Sequence, residues 1–398
     1  MSAADMVAVR EPAYGVVGWD IGGANIKVAR VTVPRVTVPG GGAAADPPHT
    51  LVDASVRAAV RAYELQRDPG ALPGVLRALA DQAGATPGDA HAVTMTAELS
   101  QYFRVKRDGV AFVLDAVAEA FPAADVHVYS VHGEFLQPSA ARAAPHAVAA
   151  ANWAATARAV GWMIRDAILV DIGTTTTDII PISGGVVRAM GWNDPGRLAS
   201  GELLYLGAVR TPVEAITHTV PLGDDHAGTS AEGFALAGDV HLWRGTLAPA
   251  AYTAPTPDGR PATRVYAGER LARVVCADRE LVDAAALDRI ADAVASAQVE
   301  RTAAAIARVR ARHPEIGTAV VTGAGDFIAA AAAERAGLAV RWLADELGPD
   351  AAVAAPATAV ALLLAAAMRE PTAEFRMGVR AAESHAVTPT GHDLRSGV

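Results

Sequence analysis

The chain has 398 residues, a formal charge of -9 and 52% hydrophobic residues, enough for a large core and, as a prior, two or three domains. The acidic balance argues against nucleic acid as a partner. Cys276 is the only cysteine, which excludes an internal disulfide. Met1 to Tyr14 has no apolar h-region, so the expectation is a cytoplasmic protein without a signal peptide. Ala351 to Met368 is mostly alanine and contains Pro356, which reads as a buried helix rather than a membrane span.

In chain order, Gly15 to Trp19 reads as a short buried strand, followed by Asp20-Ile21-Gly22-Gly23-Ala24-Asn25 and a β-branched return from Ile26 to Val33. Pro34 to His49 reads as a mobile loop. Helical periodicity covers Val52 to Gln66 and Leu72 to Ala83. His91 to Met95 reads as a strand ending in Thr96-Ala97-Glu98, followed by a helix from Val110 to Ala120. A strand from Val126 to Tyr129 and a helix from about Pro145 to Val160 complete the first half.

The second half repeats the opening. Ala167 to Val170 is followed by Asp171-Ile172-Gly173-Thr174-Thr175-Thr176 and a return strand from Thr177 to Ile182. A third strand is expected from Gly185 to Met190. The region from Asn193 to about Ala277 reads as an irregular insertion, and Ala284 to Arg312 as a long helix. Thr318 to Thr322 leads through Gly323-Ala324-Gly325 into another helix. Ala339 to Trp342 is the last strand. The expected domains are 1–165, 166–350 with the insertion at about 193–277, and 351–398 as a C-terminal helix on the domain interface plus a tail. Each half reads as α/β, a mixed sheet flanked by helices, with ligands at the strand ends that face a cleft.

A hairpin turn rich in glycine or threonine offers free backbone amides, which bind anions such as phosphate. Gly22, Gly23, Asn25, Gly173, Thr174, Thr175 and Thr176 are the candidates, with Gly323 and Gly325 as a weaker third loop. Asp20 and Asp171 at the strand ends either cap their turns or hold Mg²⁺. Lys27 and Lys106 are the only lysines among 34 basic residues, and Lys27 at a turn end suits a point charge on phosphate. Glu98 reads either as a catalytic base or as a cap. Asp178 either orients a metal-bound water or pairs with an arginine. Asn152, Arg210, Asp239 and Arg270 are candidates for substrate contact. His132, His218 and His241 lack metal-ligand spacing.

The paired Asp-Ile-Gly hairpins with Gly323-Ala324-Gly325 resemble the sugar kinase/Hsp70/actin superfamily of duplicated ribonuclease-H-like domains. Leu169 to Asp178 resembles its hydantoinase/oxoprolinase branch. More closely, Gly18 to Lys27, Met95 to Leu99, Ala151 to Ala154, Gly207 to Pro212, Glu232 to Ala235 and Arg270 to Arg273 resemble tetrahydromethanopterin-linked one-carbon-transfer proteins. That resemblance implies two ribonuclease-H-like half-domains facing a central cleft and a transferase of methanofuran biosynthesis. It implies joining of aminomethylfuran diphosphate to the phenol of γ-glutamyltyramine, or of a tyrosine derivative, with release of pyrophosphate. Lys27, Glu98 and Asp178 would then be catalytic and Mg²⁺ the cofactor, with ATP compatible but not required. The implied partners are small molecules, with no nucleic acid or membrane and a homodimer left open. An ATP-dependent kinase or an oxoprolinase-like hydrolase would share both hairpins.

Overall fold

The computed structural model describes residues 10–36 and 54–369. The first sheet has six strands: β1 (Arg10–Ile21), β2 (Asn25–Val36), β3 (Ser55–Ala62), β4 (Ala90–Met95), β5 (Val126–Tyr129) and β6 (Phe135–Leu136), in the order β3-β2-β1-β4-β5-β6. The second is built from β7 (Ala167–Ile172), β8 (Thr177–Ser183), β9 (Val186–Val187) and β10 (Leu203–Leu204). A two-stranded ribbon, β11 (Thr219–Leu222) and β12 (Asp225–Gly228), stands apart. The last two strands, β13 (Thr318–Thr322) and β14 (Ala339–Trp342), rejoin the second sheet in the order β10-β8-β7-β13-β14, with β9 on β8.

The two sheets share one plan. An antiparallel hairpin, β1–β2 or β7–β8, is extended by two parallel strands, β4–β5 or β13–β14. Parallel neighbours require helical crossovers. Fully buried Val16, Val17, Ile168, Leu169 and Val170 supply the near-continuous apolar runs that sheets covered on both faces need. Each such side chain contributes roughly 1.5–3 kcal/mol on burial. One core runs from the first sheet (Val16, Val31, Tyr129) through the helices Asn152–Met163 and Ala355–Arg369 to the second (Leu169, Ile180). The Pro356 helix packs on the first sheet and on the helix Asn152–Met163, which in turn covers the second sheet. Among the described residues no helix is long and apolar enough to cross a membrane.

Several expectations need correcting. Val52 to Gln66 is not helical: Ser55–Ala62 is β3, antiparallel to β2 with Asn25 opposite Ala62. Half-buried Val56 and Ala58 alternate with exposed Ser55 and Arg57, a period of two that the surrounding alanines disguise. Pro34 to Val36 continue β2, and the rest of the loop expected to His49 lies outside the described residues, as does the tail beyond Arg369. The helix expected from Pro145 to Val160 is broken into Pro145–Val148 and Asn152–Met163. Between them Ala150 has φ 49° and its N–H donates to Met95 O at 3.1 Å. The strand expected from Gly185 to Met190 shrinks to Val186–Val187. The insertion is ordered, with helices Asp194–Ser200, Ala237–Arg244 and Arg264–Arg273, the last two packing on the helix Ala284–Arg310.

Candidate active site

The hairpin turns superpose in their bonding. Gly22 N–H donates to Asn25 O at 3.0 Å, and Gly173 N–H to Thr176 O at 2.9 Å. Register follows: Asp20 lies opposite Lys27, and Asp171 opposite Asp178. The second turn is held from outside, its Gly173 and Thr174 carbonyls accepting from the N–H groups of Ala208, Val209 and Arg210. Among the described residues the amides of Thr174, Thr175 and Thr176 donate to no protein acceptor. They form a set of free donors that suits an anion.

Both turns open on one cavity of about 420 Å³, within the range of small-molecule sites. Of the residues singled out from sequence, Asp20, Gly22, Gly23, Asn25, Lys27, Glu98, Asn152, Asp171, Gly173, Thr174, Thr175, Thr176, Asp178 and Arg210 all line it. Asn152 reaches it because the break at Ala150 starts a new helix at its edge.

Lys27 is the electrostatic centre. Its Nζ lies 2.8 Å from Asp20 Oδ2. Burial pulls its pKa down, but Asp20, Asp171 and Asp178 together outweigh that and leave it above the ordinary lysine value. Asp171 is relieved only in part: burial first, then Asp178, push its carboxyl up to about 7 against a partial pull from Lys27. Asp178 pairs with the buried Arg197, which stacks 4.4 Å from the Trp153 ring centre. The arginine pair, one of the two roles open for Asp178 in the sequence, is formed. Asp20 Oδ1 is buried with no hydrogen-bond partner. An orphaned carboxylate oxygen beside a second carboxyl held near 7 is a donor set that fits a hard cation. Among the described residues no cluster of three or more metal-ligating side chains exists, so substrate oxygens and water would complete the shell.

Glu98 sits in a single 3₁₀ turn after β4, 2% exposed, with Oε2 buried and unpartnered. Burial pushes its pKa up to about 7, against a partial pull from Lys106 at 3.8 Å. The helix Lys106–Ala120 crosses directly over it at Gly109, where a Cβ would meet Glu98 Cα at 2.5 Å. Lys106 in turn donates to Asp194 Oδ2 at 2.7 Å from the other half. Both lysines of the chain thus serve this cavity.

Four candidates fall elsewhere. Asp239 and Arg270 are both wholly buried, their ion pair tying two insertion helices together, with Asp239 also accepting from Leu236 N–H. Gly323 and Gly325 abut the end of β7: Gly325 N–H donates to Ile172 O at 2.8 Å, and a Cβ on Gly323 would meet Asp171 Oδ1 at 2.4 Å. They brace the second turn from behind instead of lining the cavity. Conversely, Glu64, Thr96, Asp194, Arg197 and Tyr205 line it unforeseen. Only Asp194 carried a signal, in the Asn193-Asp194-Pro195 helix start, where the Asn193 side chain accepts from Gly196 N–H.

Two lobes built on one strand plan, with paired Asp-Ile-Gly turns meeting at a cleft, define an actin- and sugar-kinase-like α/β protein. The chain belongs to the hydantoinase/oxoprolinase family, whose model matches residues 89–367. It is similar to the (4-{4-[2-(gamma-L-glutamylamino)ethyl]phenoxymethyl}furan-2-yl)methanamine synthase of Methanocaldococcus jannaschii, 35% identical over 274 residues, 69% of this chain and 82% of that one. A protein of the same name from Methanococcus vannielii is 30% identical over 204 residues, 50% of this chain and 91% of the other. A nucleotide-free acetone carboxylase structure shares the fold at 12% identity, with a TM-score of 0.56 over 89% of this chain and 70% of that one.

Proposed function

We propose that the cavity joins an aminomethylfuran diphosphate to the phenol oxygen of γ-glutamyltyramine or a tyrosine derivative, forming an aryl ether in methanofuran-type biosynthesis. The product named for the two relatives contains that phenoxymethyl-furan link. The observation that carries the reading is the meeting, on one cavity, of two Asp-Ile-Gly turns, the second with free amides, and a buried carboxylate held near 7.

In this reading the diphosphate lies against the free amides of Thr174 to Thr176 and against Lys27, which stabilise charge growing on the leaving group. Asp20 and Asp171 would hold Mg²⁺, which when bound adds positive charge beside the departing oxygen. The bond from the furan methylene to the diphosphate oxygen breaks, and the phenol oxygen bonds to that carbon. The phenol proton passes to Glu98. A base near 7 is matched to neutral pH, although phenols ionise near 10, and Lys106 beside Glu98 offsets part of that gap by favouring negative charge there.

The test is pyrophosphate release from aminomethylfuran diphosphate with γ-glutamyltyramine, run beside ATP. Release without ATP supports the transfer; ATP hydrolysis coupled to a small acceptor would replace it with the kinase or hydrolase reading. Glu98→Gln should cut kcat about 10²–10⁴-fold with diphosphate affinity retained. Because the base works deprotonated, kcat/KM should rise through pH 7 in the wild type.

A further inference from the structure

We infer that Glu64 and Arg210 form a subsite for a paired α-ammonium and α-carboxylate, so that the accepted phenol carries a free aminoacyl end. This rests on the transfer reading above and names the recognition element of its acceptor. Glu64 follows β3 in the first lobe, where the N–H of Leu65 donates to Gly23 O; Arg210 belongs to the second, its own N–H on Thr174 O. Each residue is thus tied to one of the two turns, and both side chains line the cavity.

Neither side chain is satisfied on its cavity side. Glu64 Oε2 forms an ion pair with the exposed Arg67 at 2.7 Å, but Oε1 is buried without a hydrogen-bond partner. It lies 3.8 Å from Arg210 Nη1, too far for a hydrogen bond. Among the described residues the Arg210 guanidinium donates no hydrogen bond, although it is only 32% exposed. Arg197, the other arginine of the cavity, is by contrast bonded to Asp178 and to Glu202 O. A phosphate alone would gain from Arg210 but be repelled by Glu64. A ligand bearing both signs satisfies each: an ammonium on Oε1 and a carboxylate across the guanidinium fork. A γ-linked glutamyl group has that form, because its amide uses the side-chain carboxyl and leaves the α-groups free.

The experiment compares four acceptors in the pyrophosphate assay: γ-glutamyltyramine, N-glutaryltyramine without the amine, N-(4-aminobutyryl)tyramine without the carboxylate, and tyramine. Wild type should favour the first over each of the others by about tenfold or more in kcat/KM, the scale of one charge-assisted hydrogen bond. E64Q should erase the preference over N-glutaryltyramine, and R210Q the preference over N-(4-aminobutyryl)tyramine. Indifference of the wild type to these groups overturns the subsite, and that arm needs no variant to fold. So does a rise in KM for the furan diphosphate with acceptor preference intact, which would make Arg210 a phosphate ligand. If no phenol reacts, yet calorimetric binding of γ-glutamyltyramine weakens in both variants, the reaction fails and the subsite stands.

Discussion

Opposite Asp20 in the first hairpin stands Lys27; opposite Asp171 in the second stands Asp178. The turns between them are bonded alike, Gly22 to Asn25 and Gly173 to Thr176. The first turn therefore carries an ion pair, while the second carries two carboxylates, Asp178 paired from behind with Arg197 and Asp171 drawn on only in part by Lys27. A duplicated frame has been divided by one exchange of charge: one lobe brings the cation, the other a carboxyl held up near 7 and the free threonine amides. Neither lobe alone brings both, and the cavity between them is lined by both.

The largest way to break that division is Lys27→Met. It removes the one cation that, among the described residues, is hydrogen-bonded to Asp20 and leaves Asp20, Asp171 and Asp178 facing one another. Pyrophosphate release should fall about 10²–10³-fold, the usual loss for one preorganised charge partner. Wild-type turnover in Lys27→Met would show that the leaving group is held elsewhere.

The second hairpin breaks differently. Asp178→Asn leaves the guanidinium of Arg197, which is 2% exposed, with only the looser Asp194 carboxylate at 3.9 Å, and breaking a buried pair costs ~3 kcal/mol. The denaturant midpoint should drop clearly, whereas the more exposed Lys27 pair should contribute little to stability. Equal destabilisation by the two substitutions would erase the contrast.

Gly109→Ala tests the third component, the base. Its Cβ would meet Glu98 Cα at 2.5 Å, an overpacking of about 1–3 kcal/mol that the 3₁₀ turn must absorb by moving Glu98. A lower kcat with unchanged diphosphate KM is expected; a change in diphosphate KM alone would place the strain at the turns.

The hairpins were legible because each concentrates its function in eight consecutive residues, from Asp20 to Lys27 and from Asp171 to Asp178. Glu98 was legible as a strand-end carboxylate. What escaped depends on distant contacts: Lys106 meets Asp194 across 88 residues, and no local pattern announces it. β3 was hidden because alanine fits a period of two as well as a period of 3.6. Asp239 misled for the opposite reason. An aspartate near a histidine in an irregular stretch suggests a site, and only the fold reveals that Arg270 consumes it.

The smallest effect concerns Asp171 itself and sharpens the contrast between the turns. Its carboxyl, raised to about 7 by burial and by Asp178, binds a proton more tightly folded than unfolded. Ionising it between pH 4 and 7 therefore costs stability. Asp171→Asn avoids that cost. In the metal-free protein, variant and wild type should coincide below pH 4, where the carboxyl is protonated in both states. The variant should pull ahead as pH rises and hold its lead above pH 7, read from denaturant midpoints along a pH series. Added Mg²⁺ at pH 8 should narrow the lead by stabilising only the wild type, because a carboxylate kept ionised at a cost to the fold is relieved by the cation it binds. A lead that ignores Mg²⁺ would remove Asp171 from the metal site, and a variant less stable than wild type at pH 8 would make this carboxylate a structural partner like Asp178.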